Sequence, residues 1–266
     1  GDGKTDVSVF RPADGAWYLL RSTAGFTGIA FGQNGDRPVP GDYDGDGKTD
    51  LAVYRGGSWY WLNSSNGAFS GVAFGTAGDI PVPGQFDNDN KTDVAVFRPS
   101  TGYWYVLQST TGALSAQLFG QNGDIPVSGD YDGDGRTDLS VFRPSTGTWY
   151  IQQTSAGFTA LQFGASGDAP VPGDFDGDGK TDVTVYRPAT GGWYIQRSQL
   201  GFTALAWGTA GDQTAAGDYD GDGKTDVAIF RPSTGTFYIL QSANGALRAE
   251  PFGANGDISV PGAYAP

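Results

Sequence analysis

Apolar residues in this chain fall in short, dense runs rather than in helical stripes: Val7-Ser8-Val9-Phe10, Leu51-Ala52-Val53-Tyr54, Val94-Ala95-Val96-Phe97 and Val227-Ala228-Ile229-Phe230. A strand with one wet face alternates apolar and polar residues. These runs place apolar groups on both sides, as strands covered on both faces do. A second run follows each, such as Trp59-Tyr60-Trp61-Leu62, and then a segment of the form F-G-x-x-G-D-x-P-V-P. Clusters of Gly, Pro, Ser and Asn separate the runs and mark turns. Each unit therefore supplies about four short strands, predicted in the second unit near 37–43, 50–55, 59–63 and 70–74.

The units repeat. Alignment on the Asp that closes G-K-T-D and its variants gives Asp6, Asp50, Asp93, Asp138, Asp182 and Asp226, spaced by 44, 43, 45, 44 and 44 residues. Four strands in a repeat of this length point to a β-propeller blade. Residues 258–264 repeat the segment that precedes each acidic loop, with no apolar run after them. Gly1 to Asp6 begin inside that same loop. The two ends complete one unit between them, whereas an open solenoid or a row of modules would leave both as unpaired sheet edges. The expectation is an all-β, six-bladed propeller of four-stranded antiparallel blades. It forms a single domain over residues 1–266, and its first blade combines residues 6–31 with a C-terminal strand near 258–264.

Composition narrows the chemistry. The chain contains no His and no Cys, which removes disulfides, thiolate nucleophiles, the usual zinc sites and histidine bases. No apolar run approaches the roughly 20 residues of a membrane-spanning helix. The net charge of −13 disfavours nucleic acid and anionic membrane surfaces as partners. The chain starts at Gly1 and contains no Met, so it reads as processed or trimmed, and the lack of a signal peptide says nothing about compartment.

The acidity is almost entirely Asp, Glu250 being the one glutamate, and it is concentrated in the repeat. Four loops read D-x-D-x-D-G-x-x-D: Asp42/Asp44/Asp46/Asp50, Asp130/Asp132/Asp134/Asp138, Asp174/Asp176/Asp178/Asp182 and Asp218/Asp220/Asp222/Asp226. Four bare carboxylates within nine residues repel one another, and a hard divalent cation resolves the repulsion. Calcium takes six to eight oxygens, and EF-hand loops supply them from positions 1, 3 and 5, a carbonyl at 7 and position 9, with Gly at 6. The spacing here matches, with Lys48, Arg136, Lys180 or Lys224 offering the carbonyl at position 7. No Glu follows at position 12, and no flanking helices are expected, so the loop is EF-like and lies between strands. The competing reading is an Asp/Gly turn held by its own Asx bonds. The third loop departs, with Gln85, Asp87, Asp89, Lys91 and Asp93 as candidate ligands and Asn90 at the Gly position, where Asn tolerates a left-handed backbone. The sixth loop is split between the chain ends. Ala263 and Ala265 fall at positions 1 and 3, while Asp2 and Asp6 fall at 5 and 9, which is too few oxygens for an ion. Four or five Ca2+ per chain are expected, and five would bring the charge from −13 to −3.

These acidic loops, together with F-G segments such as Phe31-Gly32, Phe74-Gly75, Phe119-Gly120 and Phe163-Gly164, resemble the FG-GAP/VCBS repeat family over essentially the whole chain. Its best-known members are the calcium-binding blades of integrin α-subunit propellers. The resemblance implies that the loop joins the innermost strand of a blade to the second and that its Asp residues bind Ca2+. Six short units differ from the seven blades of integrins, so integrin-like ligand recognition does not carry over. Similar repeats occur in secreted bacterial adhesins, in lectins and as accessory modules of extracellular enzymes.

Two further residue types recur in every unit. Trp17, Trp59, Trp104, Trp149 and Trp193, with Phe237 in the sixth copy, each precede a Tyr and fit blade-to-blade packing better than sugar stacking. Arg11, Arg55, Arg98, Arg143, Arg187 and Arg231 follow the second strand and fit pairing with the repeated G-D aspartates or stacking on aromatics better than anion binding. With almost every carboxylate committed to a loop or a G-D turn, Asp14 and Glu250 remain as isolated candidates for acid–base chemistry, and a glycosidase needs a facing pair. The function expected is a non-catalytic, secreted, calcium-stabilised module that binds a glycan or a protein surface. The alternatives are a structural or engineered ring with no ligand beyond calcium, or an accessory domain of a polysaccharide-active enzyme.

Overall fold

A computed structural model describes residues 2–261. It contains 24 strands and, among the described residues, no helix. They form six separate four-stranded sheets, each antiparallel throughout. The second blade is typical: β4 (Arg37–Pro38), β5 (Leu51–Arg55), β6 (Ser58–Leu62) and β7 (Phe69–Ala73) lie side by side in chain order.

The first strand of each blade is shorter than the sequence pattern predicts. Ladder pairing in the second blade covers only Arg37 and Pro38, opposite Tyr54 and Val53, and then lapses until an isolated bridge joins Gly41 to Asp50. Pro38 and Pro40 carry no N–H to donate, but the lapse does not depend on proline, since the first strand of the sixth blade, Gln213–Thr214, is equally short and is followed by Ala215 and Ala216. The segment still follows its neighbour, because the Val39 amide donates to the Ala52 carbonyl at 2.8 Å.

The ring closes as the chain ends imply. Strand β24 (Ile258–Ser259) pairs with β1 (Val7–Arg11) and completes the sheet of β2 (Ala16–Arg21) and β3 (Gly25–Ala30). Six buried clusters fill the junctions between successive blades. Phe10 and Trp17 of the first blade pack with Val53 of the second, and Phe230 and Phe237 of the sixth pack with Val7 and Val9 of the first. The dense apolar runs are thus sandwiched between neighbouring blades, which is why they lack polar alternation.

The recurring aromatics of the repeat are core. Trp59, Trp149 and Trp193 are fully buried, with Trp17 and Trp104 nearly so. Each indole N–H donates to the carbonyl of the F-G or W-G aromatic of its own blade, as Trp59 Nε1 does to Phe74 at 2.9 Å. Phe237 has no such donor and packs on Phe230 instead, with ring centroids 4.8 Å apart. The six arginines are held twice over. Arg98 Nε and Nη2 each donate at 2.8 Å to the two oxygens of Asp79, and its guanidinium lies over Tyr105. All six blades repeat this bidentate pair and stacking, and in the first blade Arg11 reaches Asp257 from the far end of the chain. Pairing and aromatic stacking are therefore both correct for these arginines.

Candidate metal centres

Each acidic loop runs between the first and second strands of its blade, residues 39–50 in the second. Its path depends on two left-handed residues: φ is +81° at Gly45 and +80° at Gly47. In the third blade Asn88 and Asn90 occupy these positions with φ +67° and +65°. They are the non-Gly residues with positive φ among those described, and Asn is the ordinary side chain that tolerates this region best.

The first Asp folds the loop around itself. Asp42 Oδ1 accepts from the Gly45 amide at 2.7 Å, and Oδ2 accepts from Gly47 at 2.8 Å. The ninth, Asp50, is fully buried and accepts from Tyr43 N at 2.9 Å and from Ser64 N at 2.6 Å. Burial raises the Asp50, Asp93, Asp138 and Asp226 carboxyls above the usual aspartate range and lifts Asp182 to about 6. The charge of the neighbouring third-position Asp pushes the same way in each.

Carboxylate oxygens from positions 1, 3 and 9 converge within 4.8 Å of one another in four loops: Asp42/Asp44/Asp50, Asp130/Asp132/Asp138, Asp174/Asp176/Asp182 and Asp218/Asp220/Asp226. In the third loop the set is Asp87/Asp89/Asp93. Asp87 Oδ1 and Asp176 Oδ1 are buried there and have no hydrogen-bond partner. Converging carboxylates with orphaned buried oxygens fit a hard cation, since an uncompensated acceptor in a low-dielectric site is costly. Gln85 is best satisfied with its amide oxygen accepting from Asn90 N and its nitrogen donating to the Gly135 carbonyl at 2.7 Å. Its oxygen thus takes the part that Asp42 Oδ2 plays toward Gly47.

Asp46, Asp134, Asp178 and Asp222, at position 5, stand outside the converging sets. Each accepts from a hydroxyl in the turn joining the third and fourth strands of its blade: Ser64 to Asp46 at 2.8 Å, Thr154 to Asp134 at 2.7 Å, Ser198 to Asp178 at 2.6 Å and Ser242 to Asp222 at 2.9 Å. Lys48, Arg136, Lys180 and Lys224, together with Lys91, donate their amides to the position-5 carboxylate of their own loop. The Ser and Thr residues of the turn are participants that loop spacing alone does not reveal. Their signal is a hydroxyl residue recurring 16 positions after the ninth Asp, as in Asp138 and Thr154, shortened to 14 in the second blade.

The loops also bind one another. The Asp42 carbonyl accepts from Thr92 N of the next loop at 2.6 Å, and the same bond links Gln85 to Thr137, Asp130 to Thr181, Asp174 to Thr225 and Asp218 to Thr5. These bonds run from one loop to the next, while the fourth strands of the blades are largely exposed. In the split loop, Asp2 and Asp6 gather no third carboxylate among the described residues. Ala263 and Ala265 lie outside them.

Fold and loops together define a six-bladed propeller whose blades carry EF-like acidic loops. The FG-GAP-like repeat pattern matches residues 1–53, 85–141, 130–185 and 174–229, and the chain belongs to that family. No curated protein sequence matches it significantly. Similar solved structures include TolB from Acinetobacter baumannii, with TM-score 0.65 and 17% identity over 97% of this chain and 67% of that one. A lectin of Agrocybe aegerita specific for non-reducing terminal N-acetylglucosamine gives 0.58 and 14% over 98% and 91%. A streptogramin B lyase gives 0.60 and 8% over 92% and 78%. At such identities the likeness concerns the fold alone.

Proposed function

We propose that this protein is a calcium-stabilised, non-catalytic propeller that acts outside the cell as a multivalent binding module for a glycan or a protein surface. The observation that carries the metal assignment is the convergence of three carboxylates in each of five loops. The residues that would hold calcium are those at positions 1, 3 and 9 of four loops, and Asp87, Asp89 and Asp93 of the third. Bound there, the ion would supply charge neutralisation and a rigid loop. An extracellular setting agrees with this, because loops of this kind in extracellular modules have affinities suited to roughly millimolar calcium.

The binding role is supported by a repeated surface. Phe26, Phe69, Leu114, Phe158, Phe202 and Leu247 stand near the start of the outermost strand in successive blades, each about 60% exposed. Six equivalent apolar contacts around a rim favour a repetitive ligand, for which linked weak sites give avidity. The lectin-like fold agrees with a glycan. Asp14 accepts from Tyr18 Oη at 2.9 Å and Glu250 from Arg248 at 3.1 Å, which supports a local structural role for these two isolated carboxylates. A glycan array probed in calcium, beside a hydrolysis screen of the same glycans, tests the reading. Retention without cleavage is expected. Turnover of any glycan would overturn the non-catalytic assignment, and binding unaltered by Phe158→Ser and Phe202→Ser together would move the ligand off the rim.

A further inference from the structure

One position of the repeat changes character in a single blade. Midway along the third strand five blades carry an aliphatic residue, Leu19, Val106, Ile151, Ile195 or Ile239, and the second blade carries Trp61. Its ring stacks on Tyr43, with centroids 5.0 Å apart and planes inclined by 24°. Together with Val72, Leu107, Lys91 and Gln108, the pair lines a groove of 270 Å³ between the second and third blades.

Trp61 is also the exception in its hydrogen bonding. The other six indole N–H groups each donate to a carbonyl, five within their own blade and Trp207 to Tyr238 at 3.1 Å. Trp61 Nε1 has no acceptor among the described residues. Two further donors of the groove are unmatched in the same sense. Gln108 Oε1 accepts from Thr111 Oγ1 at 3.0 Å, and its amide nitrogen is left without an acceptor. The Lys91 stem lies against Gly45 of the preceding loop, where a Cβ would sit 3.0 Å from its Cε. Its ammonium has no ion pair among the described residues, whereas Lys48 has Asp46. No carboxylate side chain lines the groove.

An aromatic surface with unmatched donors around it suits a sugar, whose C–H face covers the ring while its oxygens accept from the donors. Pockets for drug-sized ligands begin at roughly 300 Å³, so this groove takes one sugar ring. The ammonium then selects among sugars. The net charge of −13 opposes anions at long range, but salt screens that field over about 8 Å, whereas Lys91 lines the groove itself. We propose that the groove is a subsite for one acidic pyranose, a uronate residue of an anionic polysaccharide, stacked on Trp61 with its carboxylate on Lys91. This deepens the glycan reading and rests on it for the class of ligand, adding one oriented contact to the repeated contacts of the rim.

Saturation-transfer NMR on the full chain in calcium, with methyl glucuronide and methyl glucoside as probes, tests it. A monosaccharide cannot span two blades of the rim, so avidity contributes nothing. Saturable transfer to the glucuronide is expected, with affinity for the glucoside about fivefold lower, the worth of a partly exposed ion pair. Trp61→Leu installs the residue of the first blade and should abolish binding of both sugars with little change in melting temperature. Lys91→Gln should bring the two sugars to equal affinity. Gln108→Ala removes a donor, leaves the aromatic stack alone and should weaken both sugars several-fold. Phe158→Ser with Phe202→Ser should alter neither. No saturable transfer from either sugar, or binding that survives Trp61→Leu, would overturn the subsite while leaving the rim to the glycan array. Affinities unmoved by both Gln108→Ala and Lys91→Gln would overturn it too, even if Trp61→Leu fails to fold. Equal affinity of the unaltered chain for the two sugars would overturn the acidic assignment.

Discussion

At the scale of single residues, the most telling feature is the sixfold pairing of an arginine with a buried aspartate. Asp79 is buried, and burial alone would raise its carboxyl. The Arg98 fork and the Thr76 amide outweigh that, so its pKa lies below the ordinary value, and Asp212 behaves alike beside Arg231 and Thr209. Arg98→Ala leaves Asp79 unpaired and should cost about 2 kcal/mol, less than a wholly buried pair because the guanidinium is partly exposed. Arg98→Lys should recover little, since one ammonium cannot replace a two-pronged donor. Urea unfolding measures both, and a loss near zero would mark the pair as ornamental. The pH dependence has two parts of opposite sign. Depressed carboxyls such as Asp79 lend stability that is complete above the unfolded value near 3.9 and lost as pH falls through the folded one. Asp182, raised to about 6, binds its proton more tightly when folded, so metal-free stability should decline as pH climbs from about 4 to about 6. A steady rise across that interval in chelator would contradict the burial of the ninth Asp. The Arg–Asp partnership was only half legible in sequence. Both residue types recur at fixed places, but 19 positions separate Arg98 from Asp79, and only the antiparallel pairing of β8 (Ile80–Pro81) with β9 (Val94–Arg98) brings them together.

At the scale of elements, the blade rests on close approaches that exclude a Cβ. Gly164, in the F-G segment of the fourth blade, has φ +135°, and a Cβ there would sit 3.0 Å from the buried Phe142 ring. Gly164→Ala combines backbone strain with overpacking and should cost roughly 2 kcal/mol. Gly167→Ala, with φ +90° and open space around it, should cost less, which separates collision from backbone strain. Equal effects in thermal melts would show that contact with Phe142 is unimportant. Strand number and order were readable from the repeat because apolar runs and turns alternate without ambiguity. Strand length was not, because each first ladder lapses after two residues, in the second blade with prolines and in the sixth without any, while the residue pattern runs on. The docking of each acidic loop on Ser64, Ser109, Thr154, Ser198 and Ser242 was also hidden. Those residues read as ordinary turn formers until the second hairpin folds back over the loop.

At the scale of the whole molecule, six junctions filled by six clusters make the ring one cooperative body, and its seam rests on β24, the Arg11–Asp257 pair and Val260. Removing residues 258–266 should lower the melting temperature of the entire ring in a single transition, because it bares the edge of β1 and the faces beside it. A truncated chain that melts as the intact one does would show that the seam bears no load. Closure was legible in sequence because the two ends carry complementary fragments of one unit. The bonds that run from each acidic loop to the next, such as Asp42 to Thr92, were not, since nothing in a single repeat shows which neighbour it faces. Those bonds tie the position of each acidic loop in the ring to that of its neighbour. The central claim is that five of its loops are built around calcium, and isothermal calorimetry of chelator-stripped protein, paired with thermal melts, tests it most directly. The account expects four or five ions per chain, a raised melting temperature by mass action and a poor response to Mg2+, which prefers a tighter octahedron. No heat of binding and an unchanged melting curve would contradict it.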